Sequence, residues 1–281
     1  MNGYATTLLR AGAFRLDGGG MFGLVPRVLW SKLVAPDERH RIPVQTNCLL
    51  LRDGERTVLV ETGYGDKWSD KDRDIWSLER RTVVDALAEV GVEPAQITHV
   101  IVTHLHFDHA AALTVLDDDG SLRPTFPNAG IIVQRTEWED ALSNRSTMTR
   151  TYLRTHLDPI ADRVRCVEGE VEVLPGVTVW PMPGHTWGQQ AIRFDDGAGT
   201  VCFPGDVMPT ANHVGSAFSM AYDMLPHENM LRKLELLRRA EGEGWRIVLD
   251  HEPGHPVRKA VRDASDPGRF HLAEATLGGR T

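Results

Sequence analysis

The segment Thr103-His-Leu-His-Phe-Asp-His109 places three imidazoles and a carboxylate, His104, His106, Asp108 and His109, within six consecutive positions, directly after the apolar run Thr98-His-Val-Ile-Val102. In an extended chain, side chains two apart project to the same side, so His104 and His106 converge on one point. A helix beginning just beyond would turn Asp108 and His109 back toward the same region, and imidazole and carboxylate are the usual ligands of zinc and similar cations. Four such groups this close are hard to satisfy in a core without a cation, and the segment therefore reads as a metal site. A dinuclear site needs further ligands. Candidates follow later apolar runs: His185 in Met182-Pro-Gly-His, Asp206 in Phe203-Pro-Gly-Asp, and His251 or His255 in Leu249-Asp-His-Glu-Pro-Gly-His. Taken singly, each of these is an ordinary turn residue. His213, seven residues after Asp206, is a further neighbour candidate; His40, His99, His156, His227 and His271 stand outside any grouping.

The elements that must position these residues alternate between strand-like and helix-like patterns. Asn47–Arg52 and Arg56–Thr62 flank Asp53-Gly54, a hairpin signal. Ser77–Gly91 sets Val83, Val84, Leu87 and Val90 on one helical face, with Ser77 expected to cap its start and Gly91 its end. Strands are expected at 98–104, 130–134, 171–182, 190–194, 199–206 and 245–251, and helices at 135–142, 148–157 and 227–240. Hairpins mixed with strand-helix units suggest an α/β sandwich, helices covering two sheets, in one domain spanning 1–281.

Bulk properties narrow the function. The 281 residues are 41% hydrophobic, enough for a sizeable core, and 31 Lys and Arg against 39 Asp and Glu give a net charge of −8, which argues against nucleic acid as a partner. Cys48, Cys166 and Cys202 lie apart in apolar stretches and read as reduced core thiols. No leader-like or membrane-spanning run is evident, so the expectation is a cytoplasmic protein without membrane contact. No G-x-S-x-G signature points to a nucleophilic serine.

The sequence resembles the metallo-β-lactamase superfamily through Thr-His-Leu-His-Phe-Asp-His (103 to 109), Pro-Gly-His-Thr (183 to 186), Pro-Gly-Asp (204 to 206) and Asp-His-Glu-Pro (250 to 253), in that order. The resemblance implies an αββα sandwich with two metals at one edge: His104, His106 and His185 on the first, Asp108, His109 and His251 on the second, and Asp206 bridging. Within it, residues 16–30, 61–68 and 205–223 resemble the branch of quorum-quenching N-acyl homoserine lactone lactonases and related esterase-like hydrolases. Two departures stand out. Glu61 occupies the usual Asp of a "DTG" loop, and Pro209 stands where some such lactonases carry a carbonyl-binding tyrosine, so either Tyr222, His213 or a metal takes that task or the substrate differs.

The implied chemistry is hydrolysis. Two cations sharing a hydroxide lower the pKa of bound water from about 16 to near 7, and an open coordination position polarises a carbonyl. Asp108 and Asp206 are the catalytic carboxylate candidates, Asp206 being favoured to carry a proton to the leaving alkoxide. Zinc is the default ion, with iron, manganese, cobalt and nickel as alternatives. The partner is a small molecule, and a homodimer stays open. Met21, Phe22, Leu24 and Trp30, on a glycine-rich loop read as flexible, together with His213 and Tyr222, are the pocket candidates. Residues 136–160, with Trp138, Met148, Tyr152 and Leu153, form either a lid or, through Arg145, Arg150 and Arg154, a solvated face. Alternative activities on the same fold are a glyoxalase II-like thioesterase, a phosphotriester hydrolase, a β-lactamase and a mononuclear-iron persulfide dioxygenase. A non-enzymatic sensor is a further class.

Overall fold

The structure, a computed structural model, describes residues 3–144 and 151–278. Strands β1 (Ala5–Asp17) and β2 (Arg41–Arg52) pair antiparallel, joined through the short helices α1 (Gly18–Phe22) and α2 (Arg27–Trp30). The Asp53-Gly54 hairpin forms as expected, leading into antiparallel β3 (Thr57–Val60), with Asp53 Oδ1 accepting from the Glu55 and Arg56 amides and Gly54 at φ 95°. Helices α3 (Asp70–Trp76) and α4 (Val83–Glu89) cross to β4 (His99–Ile101), and α5 (Phe107–Ala110) follows. After the hairpin of β5 (Thr114–Leu116) and β6 (Leu122–Pro124) come β7 (Gly130–Gln134), α6 (Arg135–Ser143), α7 (Arg154–Leu157) and β8 (Val164–Val167). The first sheet has the order β1-β2-β3-β4-β7-β8.

The second half supplies β9 (Val171–Leu174), β10 (Val177–Pro181), β11 (Gln190–Asp195), β12 (Thr200–Phe203), α8 (Pro226–Glu243), β13 (Arg246–Val248), β14 (Val257–Arg262) and β15 (Phe270–Glu274). They form a seven-stranded sheet ordered β15-β14-β13-β12-β11-β10-β9.

Alternation along the strands builds the layers. Leu49, Leu51, Val58 and Val60 face Val177, Val179, Val201 and Phe203 between the sheets. Their neighbours Cys48, Leu50 and Leu59 face outward onto Val83, Ala86 and Leu87 of α4. On the far side, Trp180, Cys202 and Ile247 pack under Leu236, Leu237 and Ala240 of α8. Helix, sheet, sheet, helix is the expected αββα sandwich. No helix among the described residues is long and apolar enough to cross a membrane.

Several local expectations are corrected. Ser77 does not start a helix: it ends α3 in the left-handed conformation (φ 50°), and α4 begins at Val83, where the Asp85 carboxylate accepts from the Thr82 amide at 2.8 Å. Of the helix expected at 148–157, the described part, 151–157, holds only α7, because Tyr152 is drawn inward onto Glu137 and Leu153 is extended; residues 145–150, among them Arg145, Met148 and Arg150, lie outside the described residues. The segment read as a flexible glycine loop is two short helices, pinned by the Asp17 cap on Gly20 N and by the Ala221 amide donating to Gly20 O at 2.8 Å. Cys48 and Cys202 are buried thiols as expected, whereas Cys166 is only half-buried.

Candidate metal centre

Every residue of the centre lies beyond the C-terminal end of a strand. β3, β4 and β7 run parallel, so the segments carrying Glu61, residues 103–109 and Glu137 leave one edge of the first sheet. In the second sheet β10 and β12 are both antiparallel to β11 and β13 is parallel to β12, so His185, Asp206 and the pair Asp250-His251 also leave a common edge. The sandwich brings these two edges together. Gly205 makes the approach possible: at φ 57°, a Cβ there would lie 2.7 Å from Thr103 Oγ1, on the strand end that carries His104.

Two groups of converging atoms result. One ligand atom from each of His104, His106 and His185 lies within 4.8 Å of the others, and the same holds for His109, Asp206, Asp250 and His251. His185 Nε2 is 3.0 Å from His106 Nδ1, and His251 Nε2 is 3.2 Å from His109 Nε2. Asp206 spans both groups, with Oδ2 3.1 Å from His185 Nε2 and Oδ1 3.3 Å from His251 Nε2. Asp108 stands beside the second group, its carboxylate oxygens 3.5 Å from His251 Nε2 and 3.9 Å from His109 Nε2.

These residues fit divalent cations. His104 Nε2 and Asp206 Oδ1 are buried without a hydrogen-bond partner, and His109 Nε2 and His251 Nε2 face each other while their Nδ1 atoms are turned to the acceptors Glu61 and Gln45, an arrangement that a cation between them satisfies. Four of the imidazoles have their other nitrogen held: His104 Nδ1 by Thr103 Oγ1 (3.0 Å), His109 Nδ1 by Glu61 Oε2 (3.1 Å), His185 Nδ1 by Asp223 Oδ1 (3.0 Å) and His251 Nδ1 by Gln45 O (2.9 Å). Such outer partners orient a ligating imidazole and fix its tautomer. Glu61, at φ 64°, also accepts the Thr103 amide at 2.5 Å, so the longer carboxylate reaches both the strand end and the imidazole.

The electrostatics are those of a compact cluster of opposite charges. Burial, reinforced by the neighbouring imidazoles, pushes His104 and His106 well below the usual histidine range. Burial opposes charge on His109 and His185 as well, but Glu61 and Asp108 hold the first, and Asp206 and Asp223 the second, above it. Burial would raise Asp206, yet His185, His251 and His109 hold it well below the ordinary carboxylate range. Burial and then the Asp206 charge push Asp250 well above that range.

A cavity of about 160 Å³ opens onto the centre, lined by Leu16, Met21, Trp76, Phe107, Thr151, Met220 and Tyr222 together with His106, Asp108, His185, Asp206 and His251. Of the pocket candidates, Met21 and Tyr222 line it. Phe22, Trp30 and His213 lie behind, Phe22 stacked on His213 at 5.1 Å and on Trp30 at 5.6 Å, and Leu24 is 97% exposed outside it. His255 belongs to neither group; its Nδ1 lies 3.1 Å from Val257 O. A larger hollow of about 530 Å³ beside Arg73, Glu79 and Asp85 contains none of the converging residues.

The structure adds three residues that sequence reasoning missed. Asp250 was signalled by its place beside His251, and Asp223 by ending the Met220-Ala-Tyr-Asp run. Glu137 had no signal, since it stands in a helix-like stretch beside the acidic Glu139 and Asp140 and in no motif.

Comparisons with known proteins agree with this geometry. The profile of the family described as Metallo-beta-lactamase superfamily matches residues 41–251. An N-acyl homoserine lactonase of Bacillus thuringiensis is 31% identical over 179 residues, which is 57% of this chain and 61% of that protein, so the match spans about three fifths of the relative's length. A solved structure of a probable metal-dependent hydrolase from Staphylococcus aureus superposes with a TM-score of 0.83 at 26% identity, covering 99% of this chain and 100% of that one. A quorum-quenching N-acyl homoserine lactone lactonase superposes with a TM-score of 0.66 at 26% identity, covering 90% of this chain and 94% of that one.

Proposed function

Because the chain belongs to the metallo-β-lactamase superfamily, we propose that it is a dinuclear-metal hydrolase acting on an ester-type carbonyl, with an N-acyl homoserine lactone or a related lactone as its substrate. The observation that carries this reading is Asp206, whose two oxygens reach separate imidazole groups at 3.1 and 3.3 Å. His104, His106 and His185 would hold one cation, and His109 and His251 the other with Asp108 or Asp250 beside them. When bound, the pair supplies a nucleophile from water at neutral pH and Lewis-acid polarisation of the carbonyl.

The remaining work falls to the chain's own side chains. Met21, Trp76, Phe107 and Met220 offer apolar walls for the acyl portion. Tyr222 replaces the side chain that Pro209 lacks: burial raises its pKa and keeps the phenol protonated, ready to donate to a substrate oxygen. Gly20 makes room for it, since a Cβ there would fall 2.0 Å from the Tyr222 hydroxyl. Asp206 is placed to carry a proton to the leaving alkoxide.

The test is a panel assayed with protein of defined metal content: N-acyl homoserine lactones, aryl esters, thioesters and phosphotriesters, ranked by kcat/KM. Lactones should rank first. A thioester or phosphotriester in first place would reassign the substrate class, and oxygen consumption with a single iron would replace hydrolysis altogether.

A further inference from the structure

We infer that Glu137 is the positioning residue of the three-imidazole group, tying the ligand-bearing segments of the two sheets to one point; the inference rests on the metal-hydrolase reading above. Glu137 lies in the first turn of α6 and is fully buried. Its Oε1 accepts the backbone amide of Leu105 at 2.9 Å, the residue between His104 and His106. The same oxygen accepts the Tyr152 hydroxyl at 3.0 Å, and the Tyr152 ring lies 5.0 Å from that of His106. Oε2 accepts the Thr186 hydroxyl at 2.6 Å, next to His185. Backbone packing follows the same line: a Cβ on Gly188 would come 2.1 Å from Glu137 N, so the His185 segment rests directly on the first turn of α6.

One acceptor-only group thus collects three donors, each adjacent to or packed against a different ligand of the same group. An apolar side chain could fill the space, but it would leave the Leu105 amide and the Tyr152 hydroxyl buried without partners and release His185 from His104 and His106. Glu137 touches no reacting atom; it acts through Leu105, Tyr152 and Thr186.

The experiment uses the full chain, zinc and a competing chromophoric chelator to obtain two zinc dissociation constants for the wild type, E137A, E137Q and H251A. E137A should weaken one constant by about 10- to 100-fold, the size typical when an outer partner of a ligand is lost. The weakened class should be the one that H251A leaves intact. E137Q should lose less, because its amide oxygen can still accept from Leu105 and Tyr152 while its NH2 donates to Thr186 Oγ1. Excess zinc should restore kcat in E137A with KM unchanged. If E137A does not fold, E137Q and T186V carry the test, each weakening the same class by a smaller factor. Two zinc constants that remain at their wild-type values in every folded Glu137 and Thr186 variant, while H251A loses one of them, overturn the inference and leave the hydrolase reading intact. A wild type that binds no metal overturns both.

Discussion

Asp206 is the residue on which two separate claims meet, because it touches both imidazole groups and faces the cavity. Asp206→Asn should keep the fold but lower kcat for an alkyl lactone by about 100-fold or more, since an amide neither bridges two cations as an anion nor delivers a proton to a poor leaving group. At matched metal content the loss should be smaller for a nitrophenyl ester, whose leaving group needs little protonation. Equal losses for both substrates would reduce Asp206 to a structural ligand. A second comparison separates neighbours in sequence: His251→Ala should lose one of two metals, and His255→Ala neither, read by elemental analysis. The opposite pattern would exchange their roles. Asp206 and His251 were legible through the order of the motifs that carry the family resemblance, since each alone is an ordinary turn residue. Asp250 and Glu137 were not, because a carboxylate on a helix or beside another candidate looks like solvated surface until its burial is seen.

At the scale of elements, the strands that carry the ligand candidates were legible from their apolar runs, and α6 and α8 from their periodicity. What escaped was decided by tertiary contacts. β1 and β14 mix polar with apolar residues and become strands through pairing with β2 and with β13 and β15. The turn at 18–30 is held by His213, whose Nε2 lies 2.8 Å from Met21 O and whose Nδ1 lies 2.7 Å from Thr210 Oγ1, a pattern that suits the neutral ring. Burial lowers its pKa from 6.5 to about 4. The unfolded chain therefore takes up this proton first, so the stability contribution is complete above pH 6.5, falls as pH drops through the window to about 4, and levels off below. The loss should be of order 3 kcal/mol. His213→Gln should flatten this part of the urea-unfolding profile between pH 6.5 and 4, leaving the shares of His104 and His106, which burial holds well below the usual range, and of His156, which it holds at about 3. An unchanged slope would show that the ring is protonated in the fold.

At the scale of the whole molecule, the αββα arrangement was legible from the alternation of apolar runs and the order of the motifs, whereas the way the two sheets are joined was not. The centre is a cross-link between them: ligand candidates 104 to 109 leave the first sheet and 185 to 251 the second. Removing metal should therefore loosen the fold as well as abolish activity. We expect two divalent ions per chain, and a chelator should lower Tm by an amount corresponding to about 4 kcal/mol at free metal a thousandfold above its dissociation constant. Both Tm and activity should return with added cation. Full activity with one ion or none in elemental analysis would sink the dinuclear centre.

The cavity has one further consequence, for how such a chain can change over generations. Its reactive wall is anchored by strand ends, while Met21, Trp76 and Thr151 come from helices and a connection that contribute no ligand candidate. Selectivity can therefore be rewritten in those segments one substitution at a time while the hydrolytic apparatus is inherited intact.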